Sequence, residues 1–152
     1  MASGKDVLIV SIALILQTAT ASVMFAPCQI STKGTVTNID ITGCNDKSPC
    51  KLIRGTNSTI AITFSTTGKA QKLEAVVHGV IAGLPVPFNL PNPDACTYGG
   101  LTCPIKTDTQ LTYTNSLPIL KVYPRIAVQV QWELKDEDEN DVFCVLIPVH
   151  LK

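Results

Sequence analysis

Between Arg125 and Glu133 the chain alternates without a break. Ile126, Val128, Val130 and Trp132 fall on one side, and Arg125, Ala127, Gln129, Gln131 and Glu133 on the other. A period of two places successive side chains on opposite faces of an extended strand; a helix cannot gather such a row on one face. The large apolar row therefore faces a core and the other row faces solvent. The same period recurs from Thr59 to Phe64, where Ile60, Ile62 and Phe64 share a side. Leu73 to Ile81 is β-branched-rich and less cleanly alternating, as is Val142 to Leu151, where Phe143, Val145, Ile147, Val149 and Leu151 form one row. Such strands have apolar neighbours on both faces. Lys135 to Asn140 reads as an acidic hairpin loop between two apolar strands. Pro85, Pro87, Pro91 and Pro93 mark an extended edge or connecting segment, because proline cannot donate to a central ladder. With no helix and no internal repeat in evidence, the pattern predicts an all-β, two-layer antiparallel sandwich.

The first residues address the compartment. Lys5 precedes an apolar run from Val7 to Leu16, broken only by Ser11, and Ala19-Thr20-Ala21 then offers the small-x-small pattern of a signal-peptidase site. The run is too short to cross a bilayer, which takes roughly 20 apolar residues. Residues 1–21 are therefore expected to be a cleaved signal peptide and residues 22–152 a single exported, soluble domain.

Twelve Lys and Arg balance twelve Asp and Glu, giving zero formal charge, and no basic stretch is present to displace phosphate counterions, which argues against a nucleic-acid partner. Six cysteines suit an oxidising compartment and permit fifteen pairings. Cys44 with Cys50, and Cys96 with Cys103, are spaced to close tight local loops; Cys28 and Cys144 together would tie the chain ends. A metal site would call for C-x-x-C pairs or Cys/His clusters, whereas no C-x-x-C occurs and only His78 and His150 are available. No G-x-S-x-G turn accompanies the serines, and both histidines fall in strand-like runs, so neither an enzyme nor a cofactor is expected. The run Asp136 to Glu139 lacks the spaced ligands and glycine of a calcium loop and reads as a solvated hairpin. Asn57-Ser58-Thr59 is an N-glycosylation sequon. The chain is 45% hydrophobic with almost no catalytic equipment, and a sandwich with slightly splayed sheets would expose its interior as a pocket for a hydrophobic ligand.

Two stretches carry a resemblance. AVVHGVIAGLPVPFNLPNPDACTYGGLTCPI, from Ala75 to Ile105, and LPILKVYPRIAVQVQWELKDEDENDVFCVLIPV, from Leu117 to Val149, closely resemble the MD-2-related lipid-recognition (ML) family and its sterol carriers. The specific features are the run Leu84 to Phe88, the spaced prolines before Cys96, the Tyr123-Pro124 step, the ending around Phe143-Cys144 and Ile147-Pro148-Val149, and the order of the six cysteines. The resemblance implies an immunoglobulin-like antiparallel β-sandwich with a hydrophobic cavity between its sheets, and the pairings Cys28–Cys144, Cys44–Cys50 and Cys96–Cys103. It implies a sterol pocket at Phe88, Ile119 and Tyr123, to which Phe64, Val128 and Trp132 are assigned as further lining. It makes Ala82, Gly83 and Leu84 an exposed apolar surface for transfer. The implied protein is a non-enzymatic, monomeric glycoprotein that is secreted or lysosomal. It binds a sterol or other hydrophobic lipid and touches membranes or a membrane sterol transporter transiently. Two rival expectations stand beside it. One is a chemosensory or innate-immune protein of the same fold that binds fatty acids, semiochemicals or microbial lipids; the other is a lipid hydrolase, which would show turnover.

Overall fold

A computed structural model describes residues 22–44 and 49–152; the expected signal peptide, residues 1–21, lies outside the described residues. Along the chain these form β1 (Ala26–Pro27), β2 (Gly34–Ile41), β3 (Cys50–Leu52), β4 (Thr56–Thr66), β5 (Glu74–Ile81), β6 (Leu84–Phe88), the single helical turn α1 (Ala95–Tyr98), β7 (Leu111–Ile119), β8 (Ala127–Lys135) and β9 (Asp141–Leu151). Two sheets result. The larger runs β1-β9-β8-β5-β6, and the smaller β2-β4-β7. The two layers form the expected immunoglobulin-like β-sandwich. Among the described residues all ladders are antiparallel except one: β3 lies parallel to β9, with Cys50 beside Val149 and Leu52 beside Leu151. β1 and β3 share the same edge of β9 at different heights, β1 meeting it at Val145 and Leu146.

The expected strand rows land on the interior. Ile60, Ile62 and Phe64 of β4 are buried, as are Phe143, Val145, Ile147 and Val149 of β9. Four rings knit the sheets together toward one end. Phe64 meets Phe143 with centroids 5.1 Å apart, and Tyr113 meets both Trp132 (6.0 Å) and Phe143 (6.4 Å) in tilted or edge-on geometry. Such pairs add roughly 0.5–1.5 kcal/mol each beyond simple burial. Burial pushes the Tyr113 phenol up to about 12, and its hydroxyl is met by Asn115 Nδ2, at 2.8 Å. At Gly34 the layers approach so closely that a Cβ would stand 2.5 Å from the Ser65 carbonyl oxygen and 2.8 Å from that of Val142. Only glycine fits there.

Two local readings are corrected. The absence of helix fails at α1, one turn capped by Asp94, whose Oδ1 accepts from the Cys96 and Thr97 amides at 3.0 and 3.2 Å. A single turn is too short to leave a hydrophobic period, so only the cap could have signalled it. The β8–β9 connection is the expected hairpin, but Asp136 within it is buried, its side chain 1% exposed. Oδ1 accepts from the amides of Asp138 and Asn140, both at 3.0 Å, and Oδ2 from Lys33 Nζ at 2.5 Å. Asp136 thus organises the turn and ties it to the start of β2. Burial opposes its ionisation, and the hydrogen bonds from Lys33 and from the Asn140 and Asp138 amides outweigh burial, holding the carboxyl below its ordinary range.

The three disulfides pair as expected: Cys28–Cys144, Cys44–Cys50 and Cys96–Cys103, with Cα atoms 5.4, 5.2 and 5.6 Å apart. Their sequence separations are 116, 6 and 7. Loop-closure entropy then orders their worth at roughly 5 kcal/mol for the first and roughly 2.5 kcal/mol for each of the others. Cys28→Ser is expected to lower the thermal midpoint more than Cys96→Ser, measured by calorimetry under the same conditions; equal shifts would contradict this. Because the folded pKa of Asp136 is depressed, its contribution is present above the unfolded value near about 3.9 and is lost as pH falls through the folded one. Asp136→Asn is expected to cost on the order of 1–3 kcal/mol at neutral pH. The gap to the native chain should close below about pH 4, and denaturant titrations from pH 7 to 2.5 would read it.

Candidate functional site

The sandwich is closed at its aromatic end and parted at the other. Along β8 the inward row is fully buried at Trp132 and Leu134 but only half-buried at Val130, Val128 and the preceding Ile126. β5 shows the same gradient, from Ala75 and Val77, both buried, to Ile81, which is exposed. A cavity of about 150 Å³ opens in the gap. Its walls are almost wholly hydrocarbon: Val77, Val128, Val130 and Val149 from the larger sheet, Leu117 and Ile119 from β7, and Leu52 from β3. Beyond Leu52, Leu117, Val130 and Val149, which bound both spaces, a smaller void of about 20 Å³ continues toward Ser58, Ile60 and Trp132.

The mouth has two lips. One is the edge strand β6, where Val86, Pro87 and Phe88 reach the cavity. Among the described residues β6 pairs only with β5, from Val77↔Phe88 to Ile81↔Leu84, and Pro85 and Pro87 keep its outer edge from recruiting another strand. The other lip is the segment 120–126 between β7 and β8, which contributes Tyr123, Pro124 and Ile126. Arg54 holds this segment by donating from Nη1 to the carbonyls of Lys121 (2.6 Å) and Tyr123 (3.1 Å). The lips touch where Phe88 and Tyr123 pack edge-on at 6.0 Å. Partial burial pushes the Tyr123 phenol up, so it stays a neutral hydrogen-bonding group at the entrance.

Of the six residues expected in the pocket, Phe88, Ile119, Tyr123 and Val128 are brought together on its wall. Trp132 bounds the inner void and otherwise belongs to the aromatic cluster. Phe64 lies outside both spaces, packed on Phe143. Strand parity assigns a face but not a depth along it, and these two sit too far toward the closed end. Val130 and Val149 share the rows of Val128 and Leu151 and were within reach of the same parity argument. Leu52 was not, because a three-residue strand leaves no period.

Ala82 and Gly83 form the two-residue turn joining β5 to β6, with φ of 50° and 79°. Both central residues are left-handed, the geometry that matches the twist of a tight hairpin; Ala82 adopts it despite its Cβ. The turn thrusts Leu84 into solvent, 69% exposed, with Val86 48% exposed beside it. On the other lip Val122, next to Tyr123, is 84% exposed. Lys51 pairs with His150, Arg54 accompanies Lys121, and Lys152 binds the Leu52 carbonyl, all at the parted end. Glu74 and Asp141, each paired with Lys135, and buried Asp136 belong to the closed end. Asn57 is exposed on β4, below the point where the β2 ladder stops.

A family model described as the ML domain matches residues 22–151. The chain is 40% identical over 143 residues to the NPC intracellular cholesterol transporter 2 of Danio rerio, covering 94% of each chain. It is 46% identical over 118 residues to the ecdysteroid-regulated 16 kDa protein of Manduca sexta, covering 77% of this chain and 81% of that one. The crystal structure of a Niemann-Pick type C2 protein from the Japanese carpenter ant superposes with a TM-score of 0.79 at 28% identity, covering 85% of this chain and 99% of that one. With its sandwich, its three disulfides and its apolar cavity between the sheets, the chain belongs to the ML domain family, whose members recognise lipids and are not enzymes.

Proposed function

We propose that the protein is an exported carrier that buries one cholesterol-like sterol between its sheets and passes it to a membrane or a membrane-bound acceptor, with no bond made or broken. The observation that carries this reading is the hydrocarbon cavity whose mouth is framed by Phe88 and Tyr123. The relatives named as cholesterol transporters support a sterol as the guest. Sequestering roughly 400 Å² of apolar ligand surface at about 25 cal/mol per Å² is worth on the order of 10 kcal/mol before the ligand's lost freedom is deducted. A sterol has one hydroxyl to satisfy, and a wet, aromatic entrance suffices for that.

The cavity is smaller than the roughly 300–1,000 Å³ typical of pockets that enclose drug-sized ligands. Loading therefore moves walls, and the cheapest to move are the lips: β6, hydrogen-bonded on one side only, and the 120–126 segment. The exposed turn at Ala82 to Leu84 and the apolar Val122 are the surface that meets a bilayer, with Lys51, Lys121 and Lys152 at the same end to approach lipid headgroups. In this reading residues 1–21 are removed on export, Asn57 carries a glycan on the outer face, and the monomer works in secretions or the lysosome.

Mass spectrometry of lipid extracted from the native protein tests the reading directly, and absence of any sterol would count against it. Phe88→Ala is expected to weaken binding of a fluorescent sterol about tenfold, roughly 1.4 kcal/mol, with an unchanged melting point; unaltered affinity would remove Phe88 from the pocket. Leu84→Asp is expected to leave that affinity within about twofold while slowing sterol transfer to phospholipid vesicles several-fold, since a charge at the turn opposes insertion among acyl chains. Stopped-flow fluorescence with vesicle acceptors separates the two effects.

A further inference from the structure

The inner void holds a hydroxyl with little to bind. Ser58 lies on the inward face of β4, 8% exposed and opposite Leu117 of β7. It bounds the void together with Ile41, Ile60, Ile147 and Trp132. Apart from the Trp132 indole, every other side chain around that space is a hydrocarbon. Among the described residues Ser58 Oγ reaches a single acceptor, the Thr42 carbonyl, at 3.5 Å. A good hydroxyl hydrogen bond is about 2.7–2.8 Å long, and no donor among the described residues reaches the Ser58 lone pairs. A buried hydroxyl left this poorly matched disfavours a wholly hydrocarbon neighbour and favours one that brings an oxygen.

We propose that Ser58 is a specificity-determining residue and that the preferred guest is a sterol bearing a second hydroxyl on its side chain. This rests on the carrier reading above. Leu52, Leu117, Val130 and Val149 bound both the main cavity and the inner void, so a guest that displaces them extends from the mouth to Ser58. The ring hydroxyl stays at the mouth, where Tyr123 and water are available, and the side chain enters first. Its terminal hydroxyl then meets Ser58 Oγ, which accepts from it or donates to it. A polar group at each end and hydrocarbon between is the pattern of a sterol oxidised on its tail. Discrimination of this kind is steep, because a site built around a hydrogen bond penalises the ligand that lacks the partner.

Displacement of dehydroergosterol from the intact mature protein tests this, with cholesterol, 25-hydroxycholesterol and 7-hydroxycholesterol as competitors. The side-chain-hydroxylated sterol is expected to compete about tenfold better than cholesterol, while the ring-hydroxylated one competes like cholesterol. Ser58→Ala is expected to abolish the preference, weakening competition by 25-hydroxycholesterol and strengthening that by cholesterol, because the unmatched hydroxyl that disfavours a hydrocarbon tail is gone. It also leaves the sequon intact, because the middle position of Asn57-Ser58-Thr59 is free to vary. Equal or weaker competition by 25-hydroxycholesterol overturns the proposal, as does a preference that survives Ser58→Ala. Those outcomes leave the carrier reading standing. Failure of dehydroergosterol to bind at all overturns both.

Discussion

The contact between the rings of Phe64, Tyr113, Trp132 and Phe143 is the pivot on which the two sheets are mounted. It fixes their separation at one end, and the close approach at Gly34 and the Lys33–Asp136 tie set it again at the same end. Twisted sheets pinned at one end, and bridged at the other only where Phe88 meets Tyr123 at the lips, diverge between the two. The cavity follows from that arrangement without any special cavity-forming residue. Its lining is aliphatic where the clamp is aromatic. Valines and isoleucines are too short to span the widening gap, so space is left that water has little reason to fill.

Much of this was legible in residue order. Parity along β4, β8 and β9 identified the inward rows, and the prolines of β6 announced an edge strand. The parts that were not legible share a physical cause. Alternation is a local property of an extended chain, whereas depth in a wedge depends on where the partner sheet lies. Phe64 and Val128 belong to equally good alternating rows, yet one is clamped and the other opens on the cavity. The parallel placement of β3, and with it the Leu52 wall, depends on a three-residue pairing with β9 and on the Cys44–Cys50 bridge. Asp136 looked solvated because acidic runs usually are; the lysine that pays for its burial is 103 residues away.

A formal charge of zero conceals a sorted distribution. Two of the four hairpin carboxylates are bound internally: Asp136 by Lys33 and two amides, Glu137 by the amides of Gln71 and Lys72. At the parted end, by contrast, Lys51, Lys121 and Lys152 stand exposed around an apolar entrance. Asp136 and Glu137 at one end serve to hold the clamp and its hairpin, whereas the lysines of the other remain available to a surface outside the molecule. Composition is blind to this difference, because only the strand registers say which residues share an end.

The small size of the cavity agrees with a carrier's task. A wide, permanently open cavity would leave its lining without contacts at a cost borne by every empty molecule. A narrow wedge keeps most of those contacts, and the Phe88–Tyr123 pair lies across the entrance to complete them. Opening then sacrifices few hydrogen bonds, since β6 is held by one ladder and the opposing segment chiefly by Arg54. Reversibility needs that economy. Loading and unloading must both be within reach of thermal motion, and a guest whose burial only modestly exceeds the cost of parting the lips is one that can also be released.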